Sequence, residues 1–177
     1  LRASPDLAVE RPADIAILPI EDATVARSFG VLEGRMRQGL VTRLAERLYS
    51  PLAPQHVDQK LREAGKLATG SPVDAAWLGG VKGTCGEDAV LGVRITHWDV
   101  SKIMETRRVQ FAAEVLMLGA RSGALLWSGR IEGSAKSGGE GPVVHVDFTE
   151  PYDADVRWML LDVAGGVGEP VTDGAVY

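Results

Sequence analysis

Near residue 87 the hydrophobic pattern of the chain changes its period. Upstream, Leu32, Met36, Leu40, Leu44 and Leu48 recur every four residues, with Val41 and Ala45 filling the drift. That spacing places one apolar stripe on an α-helix. Downstream, Val109, Phe111, Ala113, Val115 and Met117 recur every second residue, with Gln110 and Glu114 on the opposite face. That spacing is a strand covered on one side. Neither pattern buries its apolar face alone, so a chain carrying both is expected to stack helices on a sheet.

The first half breaks into short elements. Residues 1–12, LRASPDLAVERP, are polar, hold two prolines and read as a flexible arm. Ile15, Ala16, Ile17 and Leu18 then form a continuous apolar run closed by Pro19, as in a strand buried on both faces. Residues 21–30 read as a loop before the long helix, which carries Arg35, Arg43, Glu46 and Arg47 mostly away from its stripe. SPLAP at 50–54 holds two prolines, so it is a short edge strand or a connector. Val57, Leu61 and Ala64 mark a second helix ended by Gly65. A third helix is expected to start with Ser71 as its cap, Pro72 at its first position and Asp74 in its first turn, and to stop at Gly79-Gly80.

The second half reads as an antiparallel meander. Residues 88–100 and 106–118 are strands, and ARSGA leads through a turn at Gly123 into a third strand around Leu125–Glu132. Residues 133–141, GSAKSGGEG, read as a flexible loop, and 143–148 as one more edge strand. A last helix is expected after Thr149, with Val156, Met159, Leu160 and Val163 on its apolar face. The expected fold class is α/β (α+β): a mixed sheet of four to five strands with an antiparallel C-terminal meander, packed against three to four helices. One domain spans 13–164, between the arm and a Gly-rich tail at 165–177.

Composition removes several function classes. With 177 residues, 45% apolar and 24% charged, the chain can bury a core. Its net charge of −5, with both signs interspersed, is no footprint for nucleic acid. No apolar run reaches the roughly 20 residues that cross a bilayer. The lone Cys85 makes neither an internal disulfide nor a Cys-rich zinc site.

Few residues invite chemistry. Cys85, between glycines in KGTCGED, would be a nucleophile if His97 served as its base; no family-type signature surrounds it, and a small residue in a connector is the better account. His97 with Asp99 and His145 with Asp147 are two H-x-D pairs, and each points to one side of its strand. If the two strands were close, they would offer imidazole and carboxylate ligands to a divalent metal. The plainer account is polar residues at strand ends facing water. Arg35, Arg37, Arg43 and Arg47 would suit an anionic partner, but Glu33 and Glu46 dilute their field, and a solvated helix face accounts for them. Trp77, Trp98, Trp127 and Trp158 fall one per element. Each reads as core or core edge, with Trp98 and Trp158 as interface candidates if exposed. The glycine-rich pieces lack phosphate-loop spacing. No catalytic, cofactor-binding or metal residue is assigned.

Three stretches carry a resemblance: ADIAILPIEDAT, CGEDAVLGVRITHW and AAEVLMLGARSGALLWSGRIEG. In this order the chain resembles a group of bacterial cell-envelope lipoproteins that includes LpoB, the TolB N-terminal domain and CsgG. Their first strand ends in Leu-Pro or similar before a long helix, and their later hairpin reads x-L-x-D-x-x-T-G-x-x-L-W-x-G. The turn departs from that pattern, with Ala120 for the Asp and Ser122 for the Thr. The shared motifs are structural, so no binding residue carries over.

The resemblance implies a non-enzymatic accessory (lipo)protein without cofactor, lying on the periplasmic side of the outer membrane. Its lipid-bearing Cys would precede Leu1. It would act as a docking or oligomerisation module for envelope proteins, such as a synthase, a secretion or a transport component, or for a second copy of itself. Two alternatives stay open at this stage. One is a small-molecule-binding module with a pocket between the sheet and the long helix. The other is a metal-dependent hydrolase using His97, Asp99, His145 or Cys85.

Overall fold

The computed structural model describes residues 2–25, 30–67, 73–99, 101, 108–136 and 143–147. In chain order these form β1 (Arg2–Ala3), α1 (Pro5–Glu10), β2 (Asp14–Ile17), β3 (Glu21–Asp22), α2 (Gly30–Glu46), β4 (Ser50–Pro51), α3 (Pro54–Glu63), α4 (Ala75–Val81), β5 (Ala89–Asp99), β6 (Arg108–Gly119), β7 (Leu125–Lys136) and β8 (Val143–Asp147). The strands make one mixed sheet in the order β1-β7-β6-β5-β2-β4, with β3 also on β5 and β8 also on β7. β5, β6, β7 and β8 are antiparallel neighbours, as the alternating second half requires. β2 runs parallel to β4 and β5, and β3 parallel to β5. The fold is mixed α+β.

Both faces of the sheet are covered where β2 lies. Ile15 and Ile17 join Leu40 and Leu44 of α2 in one core with Leu91, Val93, Ile95, Phe111, Val115, Met117 and Trp127. Ala16 and Leu18 face the other way, into a second core with Val57 and Leu61 of α3 and Leu78 and Val81 of α4. The unbroken apolar run of β2 is therefore the trace of burial on two sides. Pro19 interrupts it, and the segment returns to β5 at Glu21, which pairs with Arg94.

Glycines act where the backbone turns left-handed. Gly65 has φ +66 just past α3, where the Lys66 N–H donates to Leu61 O at 2.8 Å. Gly123 has φ +72 in the β6–β7 hairpin, and its N–H donates to Gly119 O at 2.9 Å. The hairpin expected at ARSGA is thus present.

Several boundaries differ from expectation. The segment read as an arm carries a strand and a helix: β1 pairs with Ser128 and Trp127 of β7, and α1 is capped by the Ser4 hydroxyl. Two-residue strands such as β1, β3 and β4 are too short to show a period, so the strand count exceeds four to five. α4 is capped by Asp74 and runs through Gly79-Gly80 to Val81, because Leu78 and Val81 are held in the second core; Ser71 and Pro72 lie outside the described residues. β7 extends to Lys136 into the stretch read as a loop, since β8 pairs with Glu132–Lys136. Leu48 leaves the stripe: α2 ends at Glu46, and Leu48, at φ +67, is 94% exposed. The helix expected after Thr149 and the tail at 165–177 lie outside the described residues.

Candidate functional site

The connector before β5 gathers the residues most suggestive of chemistry. Glu87 is buried, and its carboxylate accepts the backbone N–H groups of Gly83 and Cys85, so it clamps the KGTCG turn. Asp88 Oδ2 accepts the N–H groups of Ala13 and Asp14 at 2.9 and 3.1 Å, which ties the start of β2 to β5. Those two bonds hold the Asp88 carboxyl below its usual range. The Cys85 thiol lies against Val57 O at 3.9 Å. Burial, reinforced by the Glu87 carboxylate, pushes its pKa up to about 11. At neutral pH it is a neutral thiol and a poor nucleophile.

Its supposed base is far away. His97 stands eight residues beyond Ala89 on β5, roughly 26 Å along the strand at ~3.3 Å per residue. A β-bulge between Ile95 and His97 also changes the alternation. Trp98, and not His97, turns back onto the core beside Ile95, while His97 is exposed. Trp77 is partly buried against the second core and Trp127 lies in the first; Trp158 lies outside the described residues.

The register fixes the separation of the two H-x-D pairs. Asp99 is opposite Gln110, Gln110 opposite Ser134, and Ser134 opposite His145. His97 reaches Asp147 likewise through Ala112 and Glu132. The pairs thus share two rows of the sheet three strands apart, roughly 14 Å at ~4.8 Å per strand. That exceeds the reach of ligands around one metal ion. Among the described residues no group of three or more His, Cys, Asp or Glu is placed to hold a metal.

Arg37 does not belong to a solvated helix face. It is 6% exposed, and its Nε and Nη2 donate to Ile17 O at 3.0 and 2.8 Å. Its Nη1 stands 2.7 Å from Asp58 Oδ1. Arg43 meets Glu46 at 2.7 Å, one turn on. The volume between the sheet and α2, where a ligand pocket was one expectation, is filled by Leu40 and Leu44. An open cleft of about 260 Å3 lies elsewhere, between Glu10, Glu87, Asp88, Ala120 and Arg121. It is smaller than the roughly 300–1,000 Å3 of small-molecule sites and lacks their apolar walls.

The most organised polar surface is one that sequence reasoning missed. On the sheet face that carries α3 and α4, the cover given by the described residues stops near Gly92. A Cβ there would lie 2.5 Å from Val73 Cγ1 and 2.9 Å from Leu78 Cδ1, so glycine lets α4 sit close. Beyond it, Glu21, Arg94, Glu114 and Arg130 occupy consecutive cross-strand positions on β3, β5, β6 and β7. Their charges alternate, with Arg94 3.3 Å from Glu21 and 3.7 Å from Glu114. Arg130 meets Glu132 of its own strand at 2.6 Å. Glu21 is anchored inward by the Val73 N–H at 2.6 Å, while Glu114 is half-exposed and Arg130 exposed. Each strand shows its charged residues in the sequence, but only the register sets Glu21, Arg94, Glu114 and Arg130 in a row.

No family model matches the chain. No curated protein matches it in sequence. Solved structures do match in fold. Lipoprotein GNA1162 from Neisseria meningitidis superposes with a TM-score of 0.56 at 19% identity, over 86% of this chain and 94% of that one. The LpoB C-terminal domain from Salmonella enterica gives 0.50 at 14% identity, over 71% and 83%. E. coli LpoB gives 0.51 at 16% identity, over 68% and 57%. At these identities the likeness is one of fold. It supports a fold like that of these lipoproteins and does not single out the CsgG or TolB branch of the resemblance.

Proposed function

We propose that this domain is a non-enzymatic, cell-envelope accessory module that docks another envelope protein, carried by a lipid-anchored chain on the periplasmic side of the outer membrane. The observation that carries the reading is the fold it shares with lipoproteins GNA1162 and LpoB. The scatter of Cys85, His97 and the second H-x-D pair along and across the sheet supports a binding role over catalysis. The sheet face around Glu114 and Arg130, uncovered among the described residues, is the surface we assign to docking. Its fixed charges favour specificity of partner over affinity, and the partners that fit are a synthase, a secretion or a transport component.

Site-specific photo-crosslinking in cells tests this reading. A crosslinker at Gln110 or Arg130 is expected to trap a discrete envelope protein, and one at Gln59 on α3 is not. Charge reversal at Glu114 should abolish the adduct, while the neutral Glu114→Gln should weaken it with only a slightly lowered melting temperature, since the ion pair that it removes is largely solvent-exposed. Adducts only from α3, or a full-length gene product that fractionates away from membranes, would overturn it.

A further inference from the structure

We propose that the N-terminal segment Arg2–Glu10 is an exchangeable strap, and that its seat on β7 takes the same segment from a second copy of the chain. The seat is small and specific. Arg2 and Ala3 pair with Ser128 and Trp127, and the Ser4 N–H donates to Leu126 O at 2.7 Å. α1 has no buried residue, and only its Leu7 packs on the core. Glu10 closes the segment by accepting from the Ser122 hydroxyl, with its carboxylate lying over Gly119. Among the described contacts, a few backbone bonds, one leucine and one side-chain bond hold the strap.

The connection to the rest of the fold is strained. The seat on β7 lies three strands from β2 in the sheet order, so the chain turns sharply between α1 and β2. Arg11 makes that turn in the left-handed region, at φ 44 and ψ 57, a conformation that disfavours any residue with a Cβ. Buried Pro12 follows and stiffens the bend. Arg11 is also the C-cap of α1, its N–H donating to Leu7 O at 3.0 Å; extending the chain at Arg11 relieves its left-handed conformation and gives up that cap, and seating the strap on a second copy restores the bonds to β7. This is the arrangement in which identical elements exchange between protomers. Beside the seat, Gly129–Ile131 has no strand partner on the outer edge of β7 among the described residues.

Disulfide trapping in a Cys85→Ser background tests the exchange. Arg2 and Ser128 are direct antiparallel partners, at the separation of about 4.5–5.5 Å that a disulfide spans. Folded Arg2→Cys and Ser128→Cys variants, mixed and incubated, should give a covalent heterodimer that grows with concentration. His56→Cys, exposed on α3, mixed with Ser128→Cys is the control and should give little. Adding Arg11→Gly should lower the heterodimer yield about fivefold, the factor expected from about 1 kcal/mol of relieved strain. The Arg2→Cys/Ser128→Cys double variant must close within one chain when dilute. No heterodimer above the control, no effect of Arg11→Gly, or failure of the double variant to close would overturn the proposal.

Discussion

The Cys85 thiol, raised to about 11 by burial and by Glu87, sets a measurable chemical inertness. Two pKa units above an ordinary thiol of 9.0 leave about a hundredfold less thiolate at pH 8. Alkylation of the folded chain at pH 8 should therefore run about a hundredfold slower than in urea. The sign of the stability effect follows. The unfolded thiol ionises first, so stability is full below pH 9.0, declines toward about 11, and declines less in Cys85→Ser. Asp88 has the opposite sign. Its carboxyl is depressed by the Ala13 and Asp14 N–H groups, so its contribution is present above the unfolded value and is lost as pH falls through the folded one. Being exposed, it is worth little: Asp88→Ala should cost about 1 kcal/mol at pH 7. The urea midpoints of variant and parent should converge below about pH 4. In the sequence, Cys85 between glycines invites the reading of a nucleophile with His97 as its base. The work of Glu87 and Asp88 beside it is structural, and only the hydrogen bonds reveal which N–H groups the carboxylates accept.

Elements were legible where a period ran long enough. β5, β6, β7 and α2 each carry a repeat of several residues, and the structure places them within a few residues of expectation, save for the extension of β7 to Lys136. β1, β3 and β4 carry no repeat, and α1 is six residues that open on Pro5 and end two short of Pro12, so nothing in their residues outweighs the look of a loop. Leu48 shows a third kind of miss. A spacing of four drifts around a helix of 3.6 residues per turn, and two residues past the end of α2 the backbone turns left-handed and throws the side chain into water. A leucine there is strained and covers nothing. Leu48→Gly should stabilise the fold by about 1 kcal/mol, seen as a higher urea midpoint with an unchanged slope. A lower midpoint would mean that the Leu48 side chain is held by something in solution.

At the scale of the whole molecule, one residue bears on how the layers hold together. α2 lies on one face of the sheet and α3 on the other. Arg37 of α2 reaches round the end of β2, bonds to Ile17 O, and meets both Pro54 O and the Asp58 carboxylate of α3. It is the described guanidinium that joins helix, strand and opposite helix at once. An arginine so placed serves as a fork, because its planar donors satisfy a carbonyl and a carboxylate together. Removing it strands Ile17 O and leaves Asp58 without its cation. Breaking such a pair costs more than the pair itself contributes. Arg37→Ala should therefore cost about 3 kcal/mol in urea unfolding. Arg37→Lys should recover less than half of that, since an ammonium keeps the charge but not the fork. A double-mutant cycle with Asp58→Asn should return a coupling of about 1–2 kcal/mol. A loss below about 1 kcal/mol for Arg37→Ala would show that hydrophobic packing alone joins the layers. Nothing in a row of four arginines along a helix marks the second as different; its burial follows from where α2 crosses the end of β2.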